Sequence, residues 1–130
     1  MSNRPQQRWS IDLDWFERNN RSFSALAQGC LCPRCQKRLR IAKKRASVAD
    51  IMSAIGDCCS KKKDFVTREL PVMEGIFRLF LANGNQPLDS DELATQLDQW
   101  RAEGTGGTSP EILSRLLERE HYYGLKQTQS

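Results

Sequence analysis

The sequence predicts a mainly α-helical protein made of two modules, and three features of its 130 residues support this. Apolar residues recur every three or four positions through most of the chain, which is typical of helices with one buried face. All five cysteines lie between residues 30 and 59. Residues 1–70 carry 15 Lys/Arg and 7 Asp/Glu, whereas residues 71–130 carry 5 and 9. This reversal of charge predicts a basic module over residues 1–65 and an acidic one over residues 66–130.

The composition indicates a globular protein in a reducing compartment. Hydrophobic residues make up 38% of the chain and charged residues 28%, which is ordinary for a globular domain. No apolar run approaches the roughly 20 residues of a membrane span, and the first ten residues lack the apolar segment of a secretory signal. We therefore expect a cytoplasmic protein without membrane contact, in which clustered thiols bind metal or react and do not form disulfides.

The N-terminal module is predicted to begin with a short strand followed by a helix. Apolar and polar residues alternate from Trp9 to Leu13, which predicts the strand. One helix is predicted for residues 14–28, with Asp14 as its N-cap and Gly29 at its end.

Two further helices are predicted to form an antiparallel hairpin. Residues 36–46 contain neither Gly nor Pro and place their apolar residues on one face. Ser47 and Asp50 have the spacing of a capping box, which predicts the start of a helix that ends near Gly56. Because the two helices are of similar length, the open end of the hairpin should bring together the cysteines that precede it and those that follow it.

The cysteines have the pattern of a metal site. In CPRC two thiols are separated by two residues, so both can turn toward one cation. Four thiolates around Zn²⁺ are a common structural arrangement, and such a site can contribute on the order of 10 kcal/mol to the folding of a small module. We predict Zn²⁺ bound by Cys32, Cys35 and Cys58, with Cys59 or Cys30 as the fourth ligand. An iron–sulfur cluster, which also takes four thiolates, is the alternative cofactor.

Basic residues adjoin the cysteines. Clustered cations beside a rigid metal module are typical of phosphate binding, so DNA or RNA is the expected partner. The cations alternate with aliphatic residues, which favours phosphate contact over base stacking. The alternatives are a solvated helix face and a surface for an acidic protein. The predicted nucleic-acid-binding residues are Lys37, Arg38, Arg40, Lys43, Lys44, Arg45, Lys61, Lys62 and Lys63.

Three helices and an extended tail are predicted for the C-terminal module. Pro71 is suited to the first position of the first helix. Asp89 and Glu92 have the spacing of a capping box at the start of the second, and Ser109 is the predicted cap of the third. The sequence YYGLKQ, residues 122–127, indicates a short extended segment.

The segments PVMEGIFRLFLANG, LDSDELATQL and SPEILSRLLEREHYYGLK resemble a winged-helix or helix-turn-helix domain over residues 66–127. The resemblance implies a three-helix domain whose third helix, here residues 110–121, commonly enters the DNA major groove. This helix and its module are acidic, so docking of a protein or of a second copy is favoured over DNA contact. The predicted architecture is an N-terminal metal-stapled helical module followed by a winged-helix-like three-helix domain.

The sequence predicts a regulator and not an enzyme. It contains no G-x-S-x-G or H-E-x-x-H motif, and its single histidine, His121, has no fixed neighbour to activate it. The leading hypothesis is a small zinc-binding, nucleic-acid-associated regulator or accessory factor, with transcription as the favoured process. The alternatives are a protein-interaction adaptor with a purely structural zinc site and an iron–sulfur redox-sensing regulator.

Overall fold

Residues 7–41, 47–62, 65–67, 69–101 and 109–128 are described by a computed structural model of the chain. They confirm the prediction of a mainly α-helical protein, and they also contain a small sheet. The α-helices are α1 Leu13–Arg18, α2 Phe23–Gln28, α3 Pro33–Ile41, α4 Val48–Asp57, α5 Val72–Ala82, α6 Ser90–Arg101 and α7 Pro110–Glu118. The strands are β1 Arg8–Ile11, β2 Leu88–Asp89 and β3 Leu125–Thr128, and a 3₁₀ turn spans Cys59–Lys61. Within these ranges no helix is long and apolar enough to cross a membrane.

The three strands form one antiparallel sheet in the order β2–β1–β3. Trp9 of β1 pairs with Leu88 on one side and with Gln127 on the other. Trp9 and Ile11 are both buried, as the alternation of apolar and polar residues predicted. The sheet therefore contains strands from both predicted modules, and the boundary near residue 65 stays a prediction from composition.

One hydrophobic core extends through both halves of the chain, and α5 contributes most to it. This helix packs against α4, α6 and β1. The ring of Phe77 lies 6.1 Å from that of Phe23 in α2 and 5.2 Å from that of Tyr123, centroid to centroid. Burial of this broad apolar face against elements from both halves is the main stabilising contribution to the fold.

The segment predicted as one helix over residues 14–28 is two helices, so that prediction was wrong. Asp12 caps α1 in place of Asp14, because its carboxylate accepts hydrogen bonds from two backbone N–H groups of the first turn. Asn20 has a φ of 54°, a left-handed conformation that asparagine tolerates and that interrupts a helix. Ser22 then caps α2.

Other predicted helix starts are confirmed. Ser47 and Asp50 form both hydrogen bonds of a capping box at α4. Asp89 and Glu92 likewise exchange backbone-to-carboxylate hydrogen bonds, of 3.2 and 2.8 Å, at the start of α6. The predicted cap Ser109 accepts a backbone hydrogen bond at α7. These signals are local in sequence, which is why they can be recognised without the fold.

Gly124 joins the C-terminal turn to β3 at a point where only glycine fits. Its φ is 65°, and a Cβ there would lie 2.6 Å from Cε2 of Phe16. We predict that Gly124→Ala lowers the free energy of unfolding by about 2–4 kcal/mol, because left-handed strain adds to overlap with a buried ring. Urea unfolding of the two proteins measures the difference.

Gly84 provides the matched control. Its φ is 74°, but nothing lies within 4 Å of a Cβ built at this position. Gly84→Ala should therefore cost only the backbone strain, about 1–2 kcal/mol. Equal losses in the two variants would contradict a steric role for the contact with Phe16.

Candidate metal centre

Four thiols meet where α3 begins and α4 ends. The Sγ atoms of Cys32, Cys35 and Cys58 all lie within 4.8 Å of one another. The Sγ of Cys59 accepts a hydrogen bond from the backbone N–H of Cys32, with the two atoms 3.1 Å apart. The four thiols therefore lie close together and could hold a metal ion.

The start of α3 positions the first two thiols. Pro33 is the first residue of this helix, three residues before the predicted start, and proline suits that position because its fixed φ matches a helix. Cys32 and Cys35 are three residues apart in sequence. Because the helix begins between them, both thiols lie on the same side of its first turn. Gln36 strengthens this turn, since its Nε2 donates to the carbonyl of Leu31 at 3.0 Å.

The end of α4 positions the other two thiols. The backbone N–H of Cys58 donates to the carbonyl of Ala54, and the Oγ of Ser60 donates to that of Gly56, which leads the chain into the 3₁₀ turn. α4 itself packs against α2 and α5. The cysteines that precede α3 and those that follow α4 lie together, as predicted. Packing of α3 against α4 as a hairpin stays a prediction, because α4 packs against α2 and α5 and the connecting residues 42–46 lie outside the described residues.

The sulfur spacing suits a shared ion. The Sγ atoms of Cys32 and Cys58 are 3.9 Å apart, and two sulfurs bound to one tetrahedral zinc at about 2.3 Å lie about 3.8 Å from each other. All five cysteines are free thiols, as the sequence predicted for this cluster. The donor set thus has the chemistry and the spacing of a site for a thiophilic metal ion.

The thiols differ in how readily they lose a proton. Burial raises the pKa of Cys35 to about 12 and also raises the pKa of Cys59. Burial acts in the same direction on Cys32, but hydrogen bonds from the backbone N–H of Cys35 and from the neighbouring thiols outweigh it and lower its pKa to about 7. Cys32 is therefore the first of these three to form the thiolate that a metal needs.

Cys30 makes different contacts. Its Sγ lies 3.8 Å from the carbonyl oxygen of Leu26, and Arg78 and Glu74 of α5 are its charged neighbours. Burial raises the pKa of this thiol to about 11. Of the two candidates for the fourth ligand, the structure thus places Cys59 beside the other three thiols and Cys30 against α5.

Several of the predicted phosphate-binding residues flank the thiols. Lys37 and Arg38 are exposed on α3, and Lys61 and Lys62 are exposed after Cys59. The Nη2 of Arg38 also lies 3.8 Å from the Sγ of Cys35. Of Arg40 only the backbone, within α3, is described. The predicted residues outside the described part of the chain are Lys43, Lys44, Arg45 and Lys63.

Arg78 supports the segment after the cysteines, and the sequence analysis did not identify it. Its Nη1 donates to the carbonyl of Phe65 at 2.9 Å, its guanidinium lies over the Phe65 ring, and its Nη2 pairs with Glu74 at 3.3 Å. The four-residue spacing of Glu74 and Arg78 on a predicted helix is the feature of the sequence that indicates their ion pair. Arg78 thereby attaches the chain that follows the thiol cluster to α5.

Comparison of the chain with protein-family models, curated proteins and solved structures gives no match. Inference of function therefore depends on the chemistry of the site itself.

Replacement of a cluster thiol should weaken metal binding. We predict that Cys32→Ser, Cys35→Ser and Cys58→Ser each lower the affinity for Zn²⁺ by at least about 100-fold, because each removes roughly a quarter of the binding free energy of a four-thiolate site. Competition with a chelator of known affinity measures this loss. Titration with Co²⁺ reports the remaining thiolates through their charge-transfer absorption.

Cys30→Ser is the matched control, since it makes the same chemical change at a thiol with other contacts. It should bind Zn²⁺ with the affinity of the unmodified chain. A loss at Cys30→Ser equal to that at Cys35→Ser would contradict the ligand set. Cys59→Ser tests the fourth ligand, and we expect it to weaken binding as the other three do.

Proposed function

We propose that this protein is a small zinc-binding regulator or accessory factor that associates with nucleic acid, with transcription as the favoured process. The observation that carries the proposal is the cluster of four thiols beside exposed cations at one junction of two helices. Such free thiols suit the reducing cytoplasm, where we place the protein.

Zinc is favoured over an iron–sulfur cluster by the spacing of the sulfurs. Three sulfurs that are mutually within 4.8 Å can all reach one ion. The irons of a cluster divide the thiolates among them, so that the ligating sulfurs spread apart. A closed four-thiolate site without redox chemistry is the usual form of structural zinc.

The charge balance still favours phosphate contact when the metal is included. The 15 cations and 7 anions of residues 1–70 leave a charge of +8. A Zn²⁺ ion with four thiolates contributes a charge of about −2, so the half stays strongly basic. Attachment of α3 to the end of α4 would hold Lys37, Lys61 and Lys62 near one another, which lowers the entropy lost when they bind phosphates.

The order of elements in the second half supports a winged-helix-like domain. α5, β2, α6, α7 and β3 follow as helix, strand, helix, helix and strand, and α6 packs against both α5 and α7. The central strand of the sheet is β1, from the start of the chain. We propose a winged-helix-like domain that this first strand completes.

The surface of α7 suits a protein better than DNA. Ile112 and Leu116 are 50% and 39% exposed, whereas Leu113 and Leu117 of the same helix are buried. Exposed glutamates and arginines lie beside them on the same helix. The carboxylates would repel phosphates, whereas the apolar side chains would gain from burial against another protein.

We propose a second copy of this chain as the occupant of that surface. If two α7 helices pack antiparallel, Ile112 of one faces Leu116 of the other. Glu111 then lies opposite the region between Arg115 and Arg119 of the second copy, so this carboxylate and the two arginines have complementary charges. The contact is small, which indicates a weak dimer.

Charge reversal beside the thiols tests the nucleic-acid interaction. We predict that Lys61→Glu with Lys62→Glu weakens binding to mixed-sequence duplex DNA or hairpin RNA by at least about tenfold at low salt, because phosphate contacts and released counterions are lost. The slope of log affinity against log salt should also decrease, by about 1 for each contact. Fluorescence anisotropy of labelled nucleic acid, with metal-loaded protein at several salt concentrations, measures both quantities.

Arg8→Glu with Arg18→Glu is the control of equal charge change, placed on β1 and α1. Beyond the effect of the lower net positive charge, this variant should bind nucleic acid with an affinity within about twofold of that of the unmodified chain. Equal weakening by both pairs would show that only net charge matters. Metal-loaded protein that binds neither nucleic acid would support the adaptor alternative, and a brown iron-containing protein would support the iron–sulfur alternative.

Substitution on α7 tests the dimer. We predict that Leu116→Ser raises the dissociation constant of the homodimer at least tenfold without lowering stability, because this side chain is exposed in the monomer. Sedimentation equilibrium from micromolar to millimolar protein measures the constant. Leu13→Ser, at another exposed leucine, is the control and should have no effect.

Charge exchange on α7 distinguishes a specific dimer from non-specific hydrophobic association. Glu111→Arg should weaken the dimer, and addition of Arg115→Glu with Arg119→Glu should restore it. A chain that stays monomeric throughout the concentration range would contradict the second copy as occupant.

A further inference from the structure

The four thiols of the metal centre divide into two accessible and two buried ones. Cys35 and Cys59 are each 1% exposed, whereas Cys32 and Cys58 are half-buried. The Sγ atoms of the accessible pair are 3.9 Å apart. A small reagent from solvent therefore meets Cys32 or Cys58 before it meets the other two.

We propose that Cys32 and Cys58 form an oxidation site for hydroperoxides, at which a disulfide between them displaces the bound metal. This inference depends on the proposed metal centre. The two sulfurs need to approach by about 2 Å to reach the length of a disulfide bond. Because Cys32 lies just before α3 and Cys58 just after α4, side-chain rotation at the helix ends can supply this movement.

The chemistry requires the two thiolates and one hydroperoxide. The Sγ of Cys32 attacks one peroxide oxygen, so an S–O bond forms, the O–O bond breaks, and hydroxide or alkoxide leaves with the electron pair. The thiolate of Cys58 then attacks this sulfur, the S–S bond forms, and the S–O bond breaks with release of hydroxide. The thiolates lose two electrons together and the peroxide gains two. The ion is left with two of its four ligands, which are too few to retain it.

The pairing of Cys32 with Cys58 follows from position. A disulfide between the neighbours Cys58 and Cys59 would enclose a peptide bond in a small strained ring. A disulfide between Cys32 and Cys35 would need a sulfur that is shielded from solvent and contacted by Arg38. The disulfide that we infer keeps α3 joined to α4, so the oxidised protein loses its metal while the junction stays closed.

Tryptic peptides distinguish these pairings because Arg34 separates Cys32 from Cys35. The experiment uses the full chain, purified without air, with its zinc content measured first. Hydrogen peroxide is added in small molar excess, released zinc is followed with a chromophoric chelator, and the protein is alkylated and digested. We expect one zinc released per chain and one disulfide that joins residues 22–34 to residues 46–61. Cys35 should be recovered alkylated.

Cys30→Ser is the control, because Cys30 shares a tryptic peptide with Cys32. This variant should release zinc at an unchanged rate and give the same cross-linked peptides, with fragment ions that assign Cys58 and not Cys59. In Cys58→Ser the oxidation should stop at the sulfenic acid of Cys32, which a dimedone probe labels whether or not this variant holds metal.

Different outcomes separate the inference from the metal centre. Zinc that is retained in excess peroxide, or a disulfide from Cys32 to Cys35, would overturn the inference while the metal centre stands. Protein without metal before peroxide is added would contradict the proposed centre. In that case the same peptide map still decides the pairing, since formation of the Cys32–Cys58 disulfide supports the oxidation site and its absence overturns it.

Discussion

Four thiols share one small volume between the start of α3 and the end of α4, and the chemistry of the site depends on this crowding. Two thiolates about 4 Å apart repel by about 4 kcal/mol at an effective dielectric constant of 20. Burial raises the pKa values of Cys35 and Cys59, and repulsion from neighbouring thiolates adds to the effect, so without a cation these two thiols keep their protons. A divalent ion bound among the thiolates would reverse the sign of the interaction, so the arrangement that opposes ionisation of the free thiols would favour a bound cation.

The packing of α4 connects the thiol cluster to the rest of the protein. α4 carries two of the thiols at its end and packs against α2 and α5, while β1 joins the start of the chain to strands from the second half. The cations Lys61 and Lys62 follow directly after the cluster. Binding of an ion between α3 and α4 would therefore order a charged surface that faces solvent, which links the proposed metal to the proposed nucleic-acid contact.

The sequence predicted features that depend on a few neighbouring residues and missed those that depend on packing. CPRC and the capping boxes were recognisable because their hydrogen bonds or ligands are close in sequence. The choice of Cys59 as neighbour of the other thiols depends on how the chain turns after α4, and the exposure of Ile112 depends on which side of α7 meets α6. The central position of β1 likewise follows from tertiary contacts and not from order along the chain. The break at Asn20 depends on a left-handed conformation that asparagine tolerates but does not require.

We propose that the thiols of Cys32, Cys35, Cys58 and Cys59 together bind one zinc ion. X-ray absorption at the zinc edge, on protein purified without air and with its metal content determined, tests it most directly. We expect one zinc per chain with four sulfur neighbours at about 2.3 Å. Folded protein without metal, or zinc surrounded only by nitrogen and oxygen, would contradict it.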